Sequence, residues 1–591
     1  MTAPPVGTPK RRLHALRRFW AEIQWPVVSF SAVLSIVLGY IGWAQQLDLS
    51  GTPHTPVDPF YLSIQLFTLQ VSGVPDATGF PPALQIARFL APAVAGYAAV
   101  GVFMTAFRQT RQKLSVRFAR DHVVICGLGT TGLRLAQHLR AAEVPVVAID
   151  PNPTPLAAAS AREAGVWVLA GDARDTALLN TLRLTRASHL VACCGDDATN
   201  GEVALSVAEV VARRSGPELD CRVHVADAGL SVRLRTQELA ASATPGLNLD
   251  YFNVGEAGAR TMFTRHPPFA VDPAADPPGV LVVGSGPFAQ AVLAELARLW
   301  SVTGRDDRLP VVLASVDGDD ATAVIESRLP GLLGCFDLSI ERLDPRSDRL
   351  ADLLADRPGA SAYVCLDNEV DGLAAAMALA RARVDQAPPV VVRTNRDRGL
   401  AELMTGRTRL DRDPDHADGR SPELAAFGLL DAACDPEVLL GGLWERLAIA
   451  AHDSYVATAL AKGETVTDNP ALVGWHDLPE SLQRANRAQA RHIGDKLAAI
   501  GARPVPLVAD PGDEARLTDV EVERLAEMEH ERWCADRTAD GWSLGTKDHA
   551  AKTTPHLVPW AELSEEVREL DRDAVRDLPR LLALAGHRIG R

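Results

Sequence analysis

From Ile23 to Leu47 the chain carries no Asp, Glu, Lys or Arg. A bilayer core needs roughly 20 apolar residues of helix, so this run is long enough to cross one. Trp20, Trp25, Tyr40 and Trp43 lie near its ends, where amphipathic rings favour the lipid–water interface. A second charge-free run extends from Phe89 to Phe107, with Ala91, Ala95 and Ala99 at four-residue spacing beside Gly96 and Gly101. Small residues on one face let helices approach closely in lipid. Lys10, Arg11, Arg12, Arg17 and Arg18 precede the first run, and Arg108, Arg111, Lys113, Arg117 and Arg120 follow the second. Positive charge stays inside, so the expected protein is multi-pass in the cell inner (plasma) membrane, with both termini cytoplasmic.

The remaining length bounds the rest. At 591 residues, three to five units are expected at roughly 100–200 residues each. A net charge of −15 speaks against nucleic acid as a partner, which calls for a basic surface. The eight cysteines include no C-x-x-C pair, and Cys193 and Cys194 are adjacent. That pattern suits free thiols in a reducing compartment, with neither a disulfide frame nor a metal site. The first apolar run lacks an A-x-A cleavage site and is too long for the core of a signal peptide.

Between the two runs lies DPFYLSIQLFTLQVSG, residues 58–73, apolar but too short to span. Irregular backbone at membrane depth survives only where it faces protein or water. Helix, re-entrant segment, helix is the layout of a potassium-channel pore, and residues 23–110 resemble one. The resemblance implies that Asp58-Pro59 caps a pore helix and that Thr68, Leu69, Gln70, Val71, Ser72 and Gly73 fill the filter position. The family's filter reads T-V-G-Y-G, whose carbonyls replace the ion's water shell. This chain has one glycine there and no tyrosine. A monovalent cation is the implied partner; the other reading is an external loop packed on the helices.

Residues 122–150 read HVVICGLGTTGLRLAQHLRAAEVPVVAID. A β-branched run enters Gly127-x-Gly129-x-x-Gly132, a helical pattern follows, and a second strand ends at Asp150. This is the strand–turn–helix setting in which three glycines serve a dinucleotide. Gly127 permits the tight turn, Gly129 lets the backbone meet a pyrophosphate, and Gly132 lets helix meet strand. Asp150 stands where a carboxylate takes the ribose hydroxyls, roughly 20 residues on. Further strands end at Gly171-Asp172 and before Asp196, Asp197 and Asn200. Residues 121–265 thus resemble the regulator of potassium conductance family (RCK, or Trk-type NAD-binding). The resemblance implies that Gly171 and Asp172 line the adenine side, and that NAD(H) or another adenine nucleotide is a regulatory ligand.

A second copy spans 278–400. It holds Gly284-x-Gly286-x-x-Ala289, a strand leading to Asp317, and AYVCLDNEVDGLAAAMALA, which parallels 190–208. Pro287 removes one N–H from the mouth of the turn. Tandem lobes of this kind resemble the gating rings of ligand-gated potassium channels. Catalytic residues are not evident: no His, Lys or Tyr is positioned as acid or base in a substrate domain, so an enzyme is not expected.

Residues 401–440 read as a linker or the tail of the second lobe. An internal repeat follows, over 441–506 and 518–591. Each copy has an R-L-A helix, a His-acid pair (His452-Asp453, His530-Glu531), P-x-L-V-x-W, and a helix ending in glycine. The same 26 residues separate Trp475 from Gly501 and Trp560 from Gly586. The second copy closely resembles the RyR repeat of ryanodine receptors, through His530, Trp533, Gly541-Trp542, Gly545, Lys552, His556-Leu557-Val558-Pro559 and Gly586. The first copy lacks the Gly-Trp segment. His530, Trp533, Trp542, Lys547, Lys552, His556 and Trp560 are candidates for an aromatic, basic pocket that stacks a base and holds phosphate.

The expected class is therefore α/β. Two transmembrane helices with a re-entrant pore-like segment follow a cytosolic basic N-terminus (1–22); two Rossmann-type RCK lobes and α-helical RyR repeats complete the chain. The resemblance implies a ligand-gated cation channel, four subunits to a pore. The rival is a non-conducting membrane-anchored nucleotide sensor or scaffold that recruits a partner through the RyR repeats.

Overall fold

The computed structural model describes residues 9–70, 79–118, 120–212, 218–240, 246–269, 279–395 and 424–591, omitting 306, 317, 348, 358, 383–387, 464, 466–468, 470, 510–514 and 549–550 within them, with backbone alone at 9–23 and 102–118. The chain divides into two compact units, Met1–Phe118 and Ala119–Arg591.

In the first unit, helices Pro9–Leu49 and Pro82–Phe118 flank a short helix, Val57–Gln65, which tightens into a 3-10 turn at Leu66–Thr68. Stretches Gln24–Leu49 and Pro82–Gly101 are long and apolar enough to cross a membrane. The close approach runs through small residues, though not all those the spacing singles out. A Cβ on Gly42 would fall 2.5 Å from the Leu84 nitrogen, and one on Gly39 would fall 3.0 Å from Ser63. Ala87 and Ala91 are buried with Trp43, Leu66 and Leu84. Gly96 faces open space within this chain, and the helix runs through it unbroken. Phe30, Val33, Tyr61 and Phe89 are exposed.

The second unit is built on two six-stranded parallel sheets. The first holds β1 (His122–Cys126), β2 (Val146–Asp150), β3 (Trp167–Ala170), β4 (Ala187–Ala192), β5 (Leu219–His224) and β6 (Leu247–Phe252), in the order β3-β2-β1-β4-β5-β6. The second holds β7 (Val280–Val283), β8 (Leu309–Ser315), β9 (Phe336–Arg342), β10 (Ser361–Val364), β11 (Val390–Thr394) and β12 (Leu424–Gly428), in the order β9-β8-β7-β10-β11-β12. Both are the doubly wound dinucleotide order, whose reversal point lies between the first and fourth strands. Helices cover both faces, so β1 and β7 are buried along their whole length. β12 comes from the segment that reads as linker or lobe tail; it is the edge strand of the second sheet.

The lobes share an element. Helix Val254–Arg265, capped by Asn253, leaves β6 and buries Ala259, Met262 and Phe263 in the core of the second lobe. Helix Leu429–Ala433 returns the contact: Asp431 pairs with Arg134, and His138 Nδ1 lies 3.1 Å from the Cys434 carbonyl.

The C-terminal repeats form one helical body. Helices Leu443–Ala461, Glu480–Arg491 and Ile493–Ala499 make the first copy; Asp519–Ala539, Glu565–Arg576 and Leu578–Leu584 make the second. Their closing strands, Arg503–Pro506 and His587–Gly590, pair antiparallel. Lys496 of the first copy, fully buried, donates to Glu529 of the second at 2.6 Å.

Candidate functional sites

The strand ends of the first lobe bring the dinucleotide candidates together at the reversal point. Gly127 has φ +102°, and a Cβ there would lie 2.6 Å from the Cys193 carbonyl oxygen. A Cβ on Gly132 would collide with the Gly127 carbonyl. Both positions therefore demand glycine. Gly129 caps helix Thr130–Ala141, and nothing lies within 4 Å of where its Cβ would be. The helix N-terminus is open there to an anion. Asp150 accepts the Leu128 N–H at 2.8 Å through one oxygen and the Asn152 N–H at 2.9 Å through the other. It clamps the glycine turn and keeps further lone pairs.

Asp172 is held by Arg174 at 2.7 Å, and Arg174 also reaches Glu202 at 2.8 Å. Asp196 caps helix Asp197–Val211 by accepting from the Thr199 N–H and hydroxyl. Asn200, buried, accepts from the Cys194 N–H and donates to the His224 carbonyl, tying the ends of β4 and β5. Cys194, which the motif reading passes over, stands among these groups. Burial, then Asp150, Asp196 and Asp172, pushes its thiol up to about 11. A Cβ on Gly171 would lie 2.6 Å from the end of the Leu178 side chain.

The second lobe repeats the scaffold and changes the contents. Gly284 has φ +112°, and Gly286 caps helix Pro287–Val302. A Cβ on Gly286 would lie 2.8 Å from Asp367 Oδ2, so a carboxylate of the chain itself covers this helix end. Arg393 holds Asp367 at 2.7 Å. Pairing also identifies the counterpart of Asp150. Gly127 N–H donates to the Ile149 carbonyl and Gly284 N–H to the Ala314 carbonyl, so Ser315 takes the place of Asp150. Ser315 and Ser285 hydroxyls are 2.9 Å apart. Asp317 lies outside the described residues.

At the pore position, Thr55 donates to Asp58 at 2.6 Å in front of the short helix. Thr68, Leu69 and Gln70 are exposed beyond its C-terminus, with Leu69 left-handed at φ +61°. Val71, Ser72 and Gly73 lie outside the described residues.

The two C-terminal copies share several contacts. Trp475 donates to Glu445 at 3.0 Å and Trp560 to Glu523 at 3.1 Å. Arg487 and Arg572 donate to those same carboxylates, at 2.9 and 2.7 Å. His452 Nε2–H donates to the Val473 carbonyl and His530 Nε2–H to the Val558 carbonyl, each at 2.8 Å. The acid of each expected His-acid pair is thus a bystander: Glu531 is exposed, and the carboxylate facing His530 Nδ1 is Asp571, at 3.5 Å. Burial, then the charge on Glu529, pushes Asp571 up to about 7. Asn486 takes the equivalent place in the first copy, as far beyond Trp475 as Asp571 is beyond Trp560.

Between the copies is a cavity of about 340 Å³. Of the seven candidates, His530, Trp533 and His556 line it; Trp542, Lys547, Lys552 and Trp560 do not. Trp560 is spent on Glu523 and on Arg568 and Arg572, which lie 5.7 and 6.0 Å from its ring centre. Lys552 donates to the Asp540 carbonyl at 2.7 Å. The cavity adds Tyr455, Asn486, Arg537 and Asp571, none of which the repeat pattern marks. Arg537 lies 5.5 Å from the Trp533 ring centre and 4.8 Å from that of Trp542. Its guanidinium is a cation held by ring faces at the cavity wall.

Comparison with known proteins places two domains. Residues 123–224 match the TrkA-N domain and residues 515–591 the RyR domain. The chain is 26% identical over 113 residues to potassium channel protein 1 of Methanocaldococcus jannaschii, covering 19% of this chain and 34% of the relative. It is 25% identical over 126 residues to probable potassium channel protein 2 of the same organism, covering 21% and 37%. The chain thus spans about a third of the length of the relatives it matches. Among solved structures, the GsuK channel is 16% identical over 71% of this chain and 98% of its own, with TM-score 0.36. The GsuK channel bound to NAD is 14% identical, over 73% and 85%, with TM-score 0.34. The chain carries a TrkA-N domain and a RyR domain on a mixed α/β fold with Rossmann-like parallel sheets.

Proposed function

We propose that this chain is the subunit of a nucleotide-gated cation channel. Helices Pro9–Leu49 and Pro82–Phe118 span the membrane, with both termini cytoplasmic, and four chains surround a pore entered by the short helix Val57–Gln65. NAD(H) or another adenine nucleotide binds at the first lobe, phosphates over Gly129 and ribose at Asp150. The second lobe supports the ring without binding. The cavity between the RyR repeats takes a second ligand that stacks on Trp533 and meets Arg537.

One observation carries this reading: equivalent helix ends differ, open at Gly129 and covered by Asp367 at Gly286. Two apolar helices ahead of the first lobe supply what such a sensor would gate. A ligand shifts the pore only as far as it prefers one arrangement of the ring over the other. The test is calorimetric titration of the purified full chain with NAD, NADH, ADP and ATP, beside Gly129→Asp. Binding by the wild type that the variant loses supports the reading. Heat that is indifferent to the substitution, or no heat from any of the four, removes the first lobe as sensor.

A second reading rests on residues 68–73, which lack the family's filter pattern. In it the same nucleotide site serves a non-conducting anchored sensor, and the RyR repeats recruit a partner.

A further inference from the structure

Where the first lobe meets the RyR repeats, several charges are buried together, among them Glu238, whose carboxyl burial and Asp250 push up and Arg222 and Arg235 pull down. Asp250, on β6 and buried, accepts from Arg222 at 2.7 Å and from the Leu443 N–H at 2.7 Å, so it caps the first helix of the repeats. Arg222 also donates to the Leu440 carbonyl at 2.9 Å. Gly442 is glycine because a Cβ there would strike the Arg222 guanidinium. Beside this joint lies a small cleft of about 20 Å³, lined among others by Arg235, Arg260 and Arg446 and by Asp250 and Glu256.

Pairing leaves two of those cations short. Arg235 takes Glu256 at 2.5 Å, and Asp250 is already used. Among the described residues Arg260 forms one ion pair, with Glu295 at 3.9 Å, beside a longer-range pull from Glu256, and Glu295 is held by Arg298 at 2.6 Å. Arg446 donates to the Gly441 carbonyl at 3.2 Å and has no carboxylate partner among the described residues. It also stands in the first turns of helix Leu443–Ala461, where the helix dipole disfavours a cation. Burial, then the nearness of Arg260, drives its pKa well below the usual guanidinium value. Arginine keeps its proton in proteins, so a buried guanidinium whose one hydrogen bond among the described residues goes to a backbone carbonyl calls for a counter-charge.

We propose that a monovalent anion of halide size, chloride under cellular conditions, binds in this cleft between Arg260 and Arg446 and fastens the RyR repeats to the first lobe. The volume suits one water-sized occupant. Because the ion sits at the joint through which a cavity ligand would reach the lobe, anion occupancy sets how firmly the two move together.

The test is thermal unfolding of the purified full chain at constant ionic strength, with chloride replacing gluconate stepwise. Wild type should gain a few degrees and saturate, as ligand linkage requires. Arg446→Met and Arg260→Met should not respond, whereas Arg346→Met, which breaks an ion pair with Asp371 in the second lobe, should respond as wild type does. Equal response in all four chains, or none in wild type, overturns the proposal. Should the joint variants fail to fold, bromide-soaked wild-type crystals decide. An anomalous peak in the cleft supports the site, and an empty cleft overturns it.

Discussion

Gly195 and Asp367 occupy the same position in the two lobes, one residue ahead of the N-caps Asp196 and Asn368. The backbone fixes the equivalence: Cys193 N–H donates to the Cys126 carbonyl and Cys365 N–H to the Val283 carbonyl, each at 2.8 Å. In one lobe the helix end beyond is open; in the other a carboxylate lies across it. Gly195→Asp should therefore close the first mouth. No atom lies within 4 Å of the new Cβ, so the substitution fits without strain. Nucleotide affinity should fall at least about tenfold, or ~1.4 kcal/mol, with unfolding temperature unchanged. Calorimetry and a melting curve on the same sample check both halves.

Acid should loosen the repeats from each other. Burial opposes charge on Glu529, yet Lys496 and Arg532 together hold its carboxyl down to about 2. A carboxyl depressed by folding stabilises above its unfolded value near 4.5 and loses that contribution as pH falls from there toward 2. Lys496→Met should cost about 2–4 kcal/mol at neutral pH by stranding part of that charge, and should shrink the loss between pH 4.5 and 2. Urea unfolding of wild type and variant across that range is the measurement.

Asp571 has the opposite sign. Its carboxyl is raised from 3.8 to about 7, so it favours the fold while protonated and costs stability as pH climbs through that window. Asp571→Asn should flatten the dependence between pH 4 and 7 and raise stability at pH 8 by about 1–3 kcal/mol. The first repeat, with Asn486 in that place, shows that the amide suits the fold.

Arg537→Gln should weaken an anionic aromatic ligand of the repeat cavity about tenfold through lost charge and stacking, on the order of 1 kcal/mol. It should leave nucleotide binding at Gly129 untouched. Quenching of tryptophan fluorescence reads the cavity through Trp533, and calorimetry reads the lobe.

These tests fall largely on residues that a linear motif does not mark. The glycine turns and Asp150 are readable because local backbone geometry demands them: a positive φ at Gly127, a collision at Gly132, a strand end at Asp150. Asp317 shows the limit. A carboxylate two residues past the true position looks like a ribose ligand until strand pairing puts Ser315 there. The repeats were visible through the equal spacing from tryptophan to glycine. Their ion pairs were not, since Glu523 and Arg572, or His530 and Asp571, meet only when helices from distant stretches pack. Neighbours in sequence such as His530 and Glu531 point to different sides of one helix, which is why the adjacent acid misleads.

The central claim is gating, and ion flux through the purified full chain in liposomes tests it most directly, with and without adenine nucleotides. The account predicts cation flux that changes on nucleotide addition in wild type and stays fixed in Gly195→Asp. Folded, nucleotide-binding protein that passes no cation under any condition would contradict it and leave the anchored sensor in its place.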